Sequence, residues 1–201
     1  MPDYAVFILR FCLFAGAHSL FATEWVKNRV AGGAGREPRS YRLIYNLASL
    51  VMFLWVMSAY GNSPVLYYAP GVWSLIMYLL QLVLLCILVN CVRQTGINDF
   101  LGFGRIRSGA PSSPPRLATD GWYAIVRHPL YFQTMLFLIL NPVMTAQWLI
   151  LIALSAVYFV GGALIEERRL VGQFGDEYRR YQREVPFMIP SLKRLRRPPS
   201  T

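Results

Sequence analysis

Apolar residues along this chain run in blocks rather than in stripes. The blocks Tyr4–Ala22, Tyr41–Tyr60 and Val72–Val92 are each close to the roughly 20 residues a helix needs to cross a bilayer. Polar positions at helical spacing, which mark the solvent face of a soluble helix, are almost missing from them. A fifth block covers about Thr145 to Ile165. The fourth, Pro129 to Leu140, is abnormal: about 12 residues make roughly 18 Å of helix at 1.5 Å per residue, too short to cross alone. Either it continues back through Trp122 with a kink at Pro129, or it starts near His128 below the membrane surface. The kink would free the carbonyl of Ile125, and a start would leave N–H groups that favour an anion. Such backbone survives at membrane depth only inside protein or beside a water-filled cavity, so both readings point to a pocket. From Glu166 to Tyr181 the pattern is still helical, with Leu170, Val171, Phe174 and Tyr178 on one stripe. The pattern predicts an all-α integral membrane fold with about five transmembrane helices, a short kinked fourth span and a C-terminal cytoplasmic helix.

Composition agrees. The 201 residues are 55% apolar and 15% charged, against about 25% charged in soluble domains. A net charge of +10 raises nucleic acid as a partner, but the placement of the charges argues against it. Of 20 Lys and Arg, only Arg10 lies in the first block; five fall in 24–42, five in 93–127 and nine in 166–201, with none in 61–70 or 141–146. Loops that alternate in this way carry the positive-inside signature. It puts the N-terminus outside and the C-terminus in the cytoplasm, across the inner or plasma membrane if the source is bacterial. The chain then reads as one membrane domain: three spans in 1–92, a cytoplasmic loop in 93–120, a hairpin and C-terminal segment in 121–190, and a basic tail in 191–201. The tail, with Lys193-Arg194-Leu195-Arg196-Arg197, reads as an orientation signal. Cys12, Cys86 and Cys91 sit in apolar blocks without metal-type spacing, so neither a disulfide framework nor a metal site is expected. Ala15-Gly16-Ala17 imitates a signal-peptide cleavage site, but Met1-Pro2-Asp3 lacks a basic start and Arg10 interrupts the apolar run, so the segment is kept as a span.

The candidate chemistry lies in two stretches. Asp120-Gly121-Trp122-Tyr123-Ala124-Ile125-Val126-Arg127-His128-Pro129-Leu130-Tyr131 precedes an apolar hairpin, and Glu166-Glu167 with Phe174-Gly175-Asp176-Glu177-Tyr178 follows it. An Arg, a His and two carboxylates therefore share one end of two adjacent helices, where a bilayer would penalise them unless they serve a polar ligand. These stretches, closed by Val185-Pro186-Phe187-Met188-Ile189-Pro190, resemble the isoprenylcysteine carboxyl methyltransferase family over about a third of the chain. A second resemblance is carried by His18-Ser19 with Lys27, Arg39-Ser40-Tyr41 and Asn141-Pro142-Val143-Met144-Thr145; it is to methanethiol S-methyltransferases and their relatives. The resemblance implies a small membrane methyltransferase that uses S-adenosylmethionine, bound in a cytoplasm-facing pocket made by the last two spans and the C-terminal segment.

The residues can be matched to such a cofactor. His128 suits adenine or the amino-acid part, and Glu166 or Glu167 can accept from ribose or ammonium. Free N–H groups around Leu130 suit the carboxylate, and Tyr131 and Tyr178 offer aromatic faces to adenine or a sulfonium. Adjacent helical residues point about 100° apart, so Glu166 and Glu167 cannot face the pocket equally. Arg127 and Glu167 are candidates for a catalytic role, Arg127 alternatively as a headgroup anchor. A carboxylate acceptor needs no base, whereas a thiol is helped by one; His18, about six residues from the cytoplasmic end of the first span, is the candidate base, alternatively a structural hydrogen bond. Arg10 lies nearer the outer face and can snorkel there. His128→Ala and Glu167→Gln are expected to weaken cofactor binding and to leave folding intact. The function expected is methyl transfer from S-adenosylmethionine to a small or lipophilic acceptor from the bilayer, foremost a thiol such as methanethiol. The alternatives are a prenylated cysteine carboxylate or another lipid as acceptor, or a non-catalytic transporter or assembly factor. The oligomeric state has no sequence signal.

Overall fold

The computed structural model describes residues 4–30, 40–94, 96–97 and 116–191. Arg39, most of the glycine- and proline-rich loop after residue 94 and the basic tail from residue 192 lie outside the described residues. The described chain is predominantly helical. Its helices are α1 (Tyr4–Ala22), α2 (Glu24–Val30), α3 (Tyr41–Met57), α4 (Val72–Gln94), α5 (Pro129–Ile139), α6 (Ala146–Phe174) and α7 (Asp176–Glu184). Two short strands, β1 (Val65–Tyr68) and β2 (Val143–Thr145), pair with each other, and a 3-10 turn covers Gly121–Ala124.

Helices α1, α4 and α6 are long and apolar enough to cross a membrane, and α3 and α5 are shorter apolar helices. Burial runs opposite to that of a water-soluble protein. His128, Gln133, Gln147 and Glu167 are buried, while Leu54, Leu82, Val157 and Ile165 point outward. Lipid explains this, because it solvates the outward apolar side chains and leaves polar groups to find partners inside. The chain is an integral membrane protein.

The expected starts at Tyr4, Tyr41 and Val72 are the observed ones. The short fourth helix begins at Pro129 rather than bending there. His128, held by the proline ring out of the helical region at φ −121° and ψ 64°, precedes it, and a proline in first position forfeits no helical hydrogen bond. Helix α6 runs on past Ile165 to Phe174 and ends at Gly175, whose φ of 56° stops it before α7. The strands were not expected: residues 61–70 and 141–146 read as turns in the sequence.

The chain packs as two compact units. Among the described residues, the first takes 4–30, 40–67, 96–97 and 143–154; the second takes 68–94, 116–142 and 155–191. In the first, α1 packs on α3 and buries Phe7, Phe11 and Val56. The buried Gln147 ties the end of α3 to the start of α6, accepting from the Gly61 N–H at 3.0 Å and donating to the Ala59 carbonyl at 2.9 Å. Arg10 donates to the Trp55 carbonyl at 3.0 Å and to Ser58 Oγ at 2.8 Å, with its guanidinium over the Trp55 ring. Its positive charge thus meets the carbonyl end of α3, where the helix dipole favours a cation.

In the second unit α4 packs on α5, and Gln81 Nε2 donates to the Phe137 carbonyl at 2.9 Å. The stripe Leu170, Val171 and Phe174 of α6 packs against Tyr178, Tyr181 and Val185, together with Leu117. This small core anchors α7. Tyr181 donates from its hydroxyl to the Tyr123 carbonyl at 2.6 Å, fixing the stretch that leads to Arg127.

Candidate functional site

Arg127 and His128 stand in extended backbone just before α5, and that backbone pairs with the segment after α7. The Arg127 N–H donates to the Pro186 carbonyl at 2.9 Å, and the His128 N–H to the Phe187 carbonyl at 3.2 Å. The first turn of α5, with Leu130 and Tyr131, then faces the part of α6 that carries Glu166 and Glu167.

Glu167 is the hub. Its Oε1 accepts from Arg127 Nε at 2.6 Å and lies 3.3 Å from His128 Nε2; its Oε2 accepts from Gln182 Nε2 at 2.8 Å. Tyr178 adds a fourth hydrogen bond: burial raises its hydroxyl far above the ordinary value, so it stays protonated and donates. Four donors fill the roughly four lone-pair sites of a carboxylate. Arg127 spends its other contacts on the carbonyls of Gln182 (2.9 Å) and Val185 (2.6 Å), and lies over the Phe187 ring. The pair Arg127–Glu167 therefore locks α6, α7 and the segment through Phe187 onto the start of α5. Tyr178 is 1% exposed and reaches Glu167 from within the core.

Glu166 has a different environment. Its side chain is 37% exposed, and its Oε2 accepts from the Tyr131 hydroxyl at 3.3 Å and lies 3.7 Å from His128 Nδ1. Tyr131 stacks between His128 (5.6 Å) and Phe159 (5.2 Å), and Phe187 meets His128 edge-on at 5.1 Å. Burial lowers the His128 pKa from its ordinary 6.5, against the pull of Glu166 and Glu167, so the ring is neutral at pH 7. A neutral imidazole has one N–H. Both carboxylates can only accept, and the closer contact, 3.3 Å from Nε2 to Glu167 against 3.7 Å from Nδ1 to Glu166, puts that proton on Nε2 and leaves the Nδ1 lone pair toward Glu166. These two acceptors lie 3.7 Å apart, His128 buried and Glu166 partly exposed, and are set to share one donor. Leu130, half buried at the second position of α5, places its N–H ahead of the first intrahelical bond.

His18 lies in the first unit, in a cluster with Tyr45 and Ser49. Of the residues that complete the two clusters, Ser49 was among the polar residues visible in the second span. Phe187 lay in the Val185–Pro190 stretch without a role of its own, and Gln182, Phe159 and Tyr45 were not singled out. A Tyr and a Ser at i and i+4, on one face of a span, was the available signal for Tyr45; Phe159 had none among so many aromatics.

Comparison with known proteins places these residues in a family context. The sequence model described as NnrU protein matches residues 6–190. The methanethiol S-methyltransferase of Pseudomonas deceptionensis is 30% identical over 205 residues, covering 93% of this chain and 72% of that protein. Methanethiol S-methyltransferase 1 of Bradyrhizobium diazoefficiens is 42% identical over 82 residues, covering 41% of this chain and 29% of its own length. The protein-S-isoprenylcysteine O-methyltransferase of Schizosaccharomyces pombe is 32% identical over 93 residues, 45% of this chain and 39% of that protein. No solved structure matches the chain.

Proposed function

The chain belongs to the NnrU protein family, with methanethiol S-methyltransferases among its relatives, and on that footing we propose that it transfers a methyl group from S-adenosylmethionine to a small or lipophilic thiol. The observation that carries the cofactor half is the facing pair of acceptors, His128 Nδ1 and Glu166 Oε2. An ammonium group is a donor with three protons and a charge opposite to that of Glu166, so it satisfies both at once. The donor set thus fits the cofactor, which when bound supplies a methyl group already activated by its sulfonium leaving group.

The roles then divide. Glu166 and His128 hold the amino-acid end, Leu130 offers a backbone donor to its carboxylate, and Tyr131 orients Glu166. Arg127, Glu167 and Tyr178 keep that geometry rigid, as orientation and exclusion of water are what methyl transfer demands of a protein. Of the two adjacent carboxylates, Glu166 is the ligand and Glu167 the frame. The bilayer arrangement that supports this is the one the loop charges favour: five spans, with α3 and α5 completing the set of α1, α4 and α6, and the Arg127–Glu166 end in the cytoplasm. Isothermal titration of the purified protein with S-adenosylhomocysteine tests the reading. Saturable binding that Glu166→Gln weakens is expected; no binding to the wild type overturns it.

The relative from S. pombe favours a second acceptor, the carboxylate of a prenylated cysteine. Mass spectrometry of products from methanethiol, larger thiols and farnesyl-cysteine analogues, each offered with labelled methyl donor, separates the two.

A further inference from the structure

Within the second unit, helix α6 carries a stripe of outward apolar side chains that ends in two arginines. Val157 and Ile165 are 76% and 68% exposed, and Val160 and Leu164 also point outward. An α-helix turns about 100° per residue, which puts Arg168 about 40° round the axis from Leu164 and Arg169 about 40° from Ile165. Both arginines are exposed. Among the described residues, neither has an ion pair or a hydrogen-bond partner. Arg169, three residues after Glu166, leaves that carboxylate to Tyr131 and His128.

Depth decides what the two guanidinium groups meet. From Ala146 to Ile165, α6 runs for 20 residues without a charge. That is roughly 30 Å of helix at 1.5 Å per residue, the thickness of the hydrocarbon core. Leu164 and Ile165 therefore stand at its edge. The arginines come one turn later, about 6 Å further on, inside a headgroup layer that adds about 5–7 Å to each side of the core. An occupant of this face has to lie along apolar side chains and present a negative group at their end. A phospholipid has that form, with acyl chains along Val157, Leu164 and Ile165 and a phosphate at the arginines. Guanidinium takes phosphate in a bidentate grip. Two neighbouring positive charges favour a headgroup of net negative charge, because a zwitterionic one brings a cation of its own.

We infer that Arg168 and Arg169 bind the headgroup phosphate of an anionic phospholipid in the leaflet at the Glu166 end of the protein. The site goes beyond the methyl-transfer reading and does not depend on it. Native mass spectrometry of the full chain in detergent tests it, with equal amounts of phosphatidylglycerol and phosphatidylcholine carrying the same acyl chains. The wild type is expected to retain phosphatidylglycerol in preference. Arg168→Gln combined with Arg169→Gln is expected to weaken phosphatidylglycerol binding about 25-fold, at about fivefold for each basic residue beside an anionic surface. Phosphatidylcholine binding is expected to stay unchanged. Arg180→Gln is the control: Arg180 is also exposed and without a partner among the described residues, but it stands on the polar face of α7, and its loss is expected to alter neither lipid. Equal retention of the two lipids by the wild type, or an equal loss in Arg180→Gln, overturns the site. Glycerol 3-phosphate held as tightly as phosphatidylglycerol overturns the lipid as its occupant.

Discussion

The two polar clusters of this protein are built by opposite means. Around His18 stand neutral groups, the hydroxyls of Tyr45 and Ser49 and aromatic rings. Around Glu167 an ion pair is sealed by Gln182, Tyr178 and two backbone carbonyls. Neutral hydroxyls cost little to desolvate, so the first cluster needs no counter-charge. A carboxylate and a guanidinium lose several kcal/mol each on leaving water, so the second needs every lone pair filled. The charged cluster can therefore serve as a rigid frame, while the neutral one joins two helices at small cost.

The comparison breaks most visibly at Glu167. Glu167→Gln leaves Arg127 charged and half sealed without its counter-ion, and removing one partner of such a pair costs about 3–5 kcal/mol. Thermal unfolding in detergent is expected to fall steeply, so the expectation that this variant spares folding gives way. Glu166→Gln sharpens the contrast from the ligand side. A charge-assisted hydrogen bond of about 1.5–3 kcal/mol is lost, so S-adenosylhomocysteine affinity in titration should drop about 10- to 100-fold with the unfolding midpoint unchanged. In the neutral cluster, Ser49→Ala should cost stability no more than about 1 kcal/mol, the scale of hydrogen bonds between membrane helices. An equal loss of midpoint for Ser49→Ala and Glu167→Gln would erase the distinction.

The smallest effect is a pH dependence. Burial holds the His128 pKa below its ordinary 6.5, so the unfolded chain takes up a proton before the folded one. Stability from neutral His128 is then full above about pH 6.5 and is lost as pH falls through the lower folded value. A shallower slope of midpoint against pH in His128→Asn, over that window, checks it.

Much of this was legible in the residues. Span lengths follow from bilayer thickness, so the starts at Tyr4, Tyr41 and Val72 could be read directly. The Arg127–His128 and Glu166–Glu167 stretches stood out because ionisable groups beside apolar blocks are costly without a purpose. The kink at Pro129 was one of two readings that the sequence left open, as a proline fits both a bent helix and a first position. The dihedral angles of His128 settled it as a start. The strands β1 and β2 escaped notice because runs of three or four residues carry too little periodicity to separate from turns.

What the sequence determined by itself was the class of molecule and the set of charged residues in play. Hydropathy and charge placement are properties of the chain, whatever it folds against. Tertiary structure decided the division of labour. Helical geometry sets Glu166 and Glu167 about 100° apart, yet only the packing of α7 and the Gln182–Phe187 segment chose which carboxylate is enclosed. It likewise set a hydroxyl against each nitrogen of His18, because hydrogen-bond partners on different helices leave no mark in local sequence.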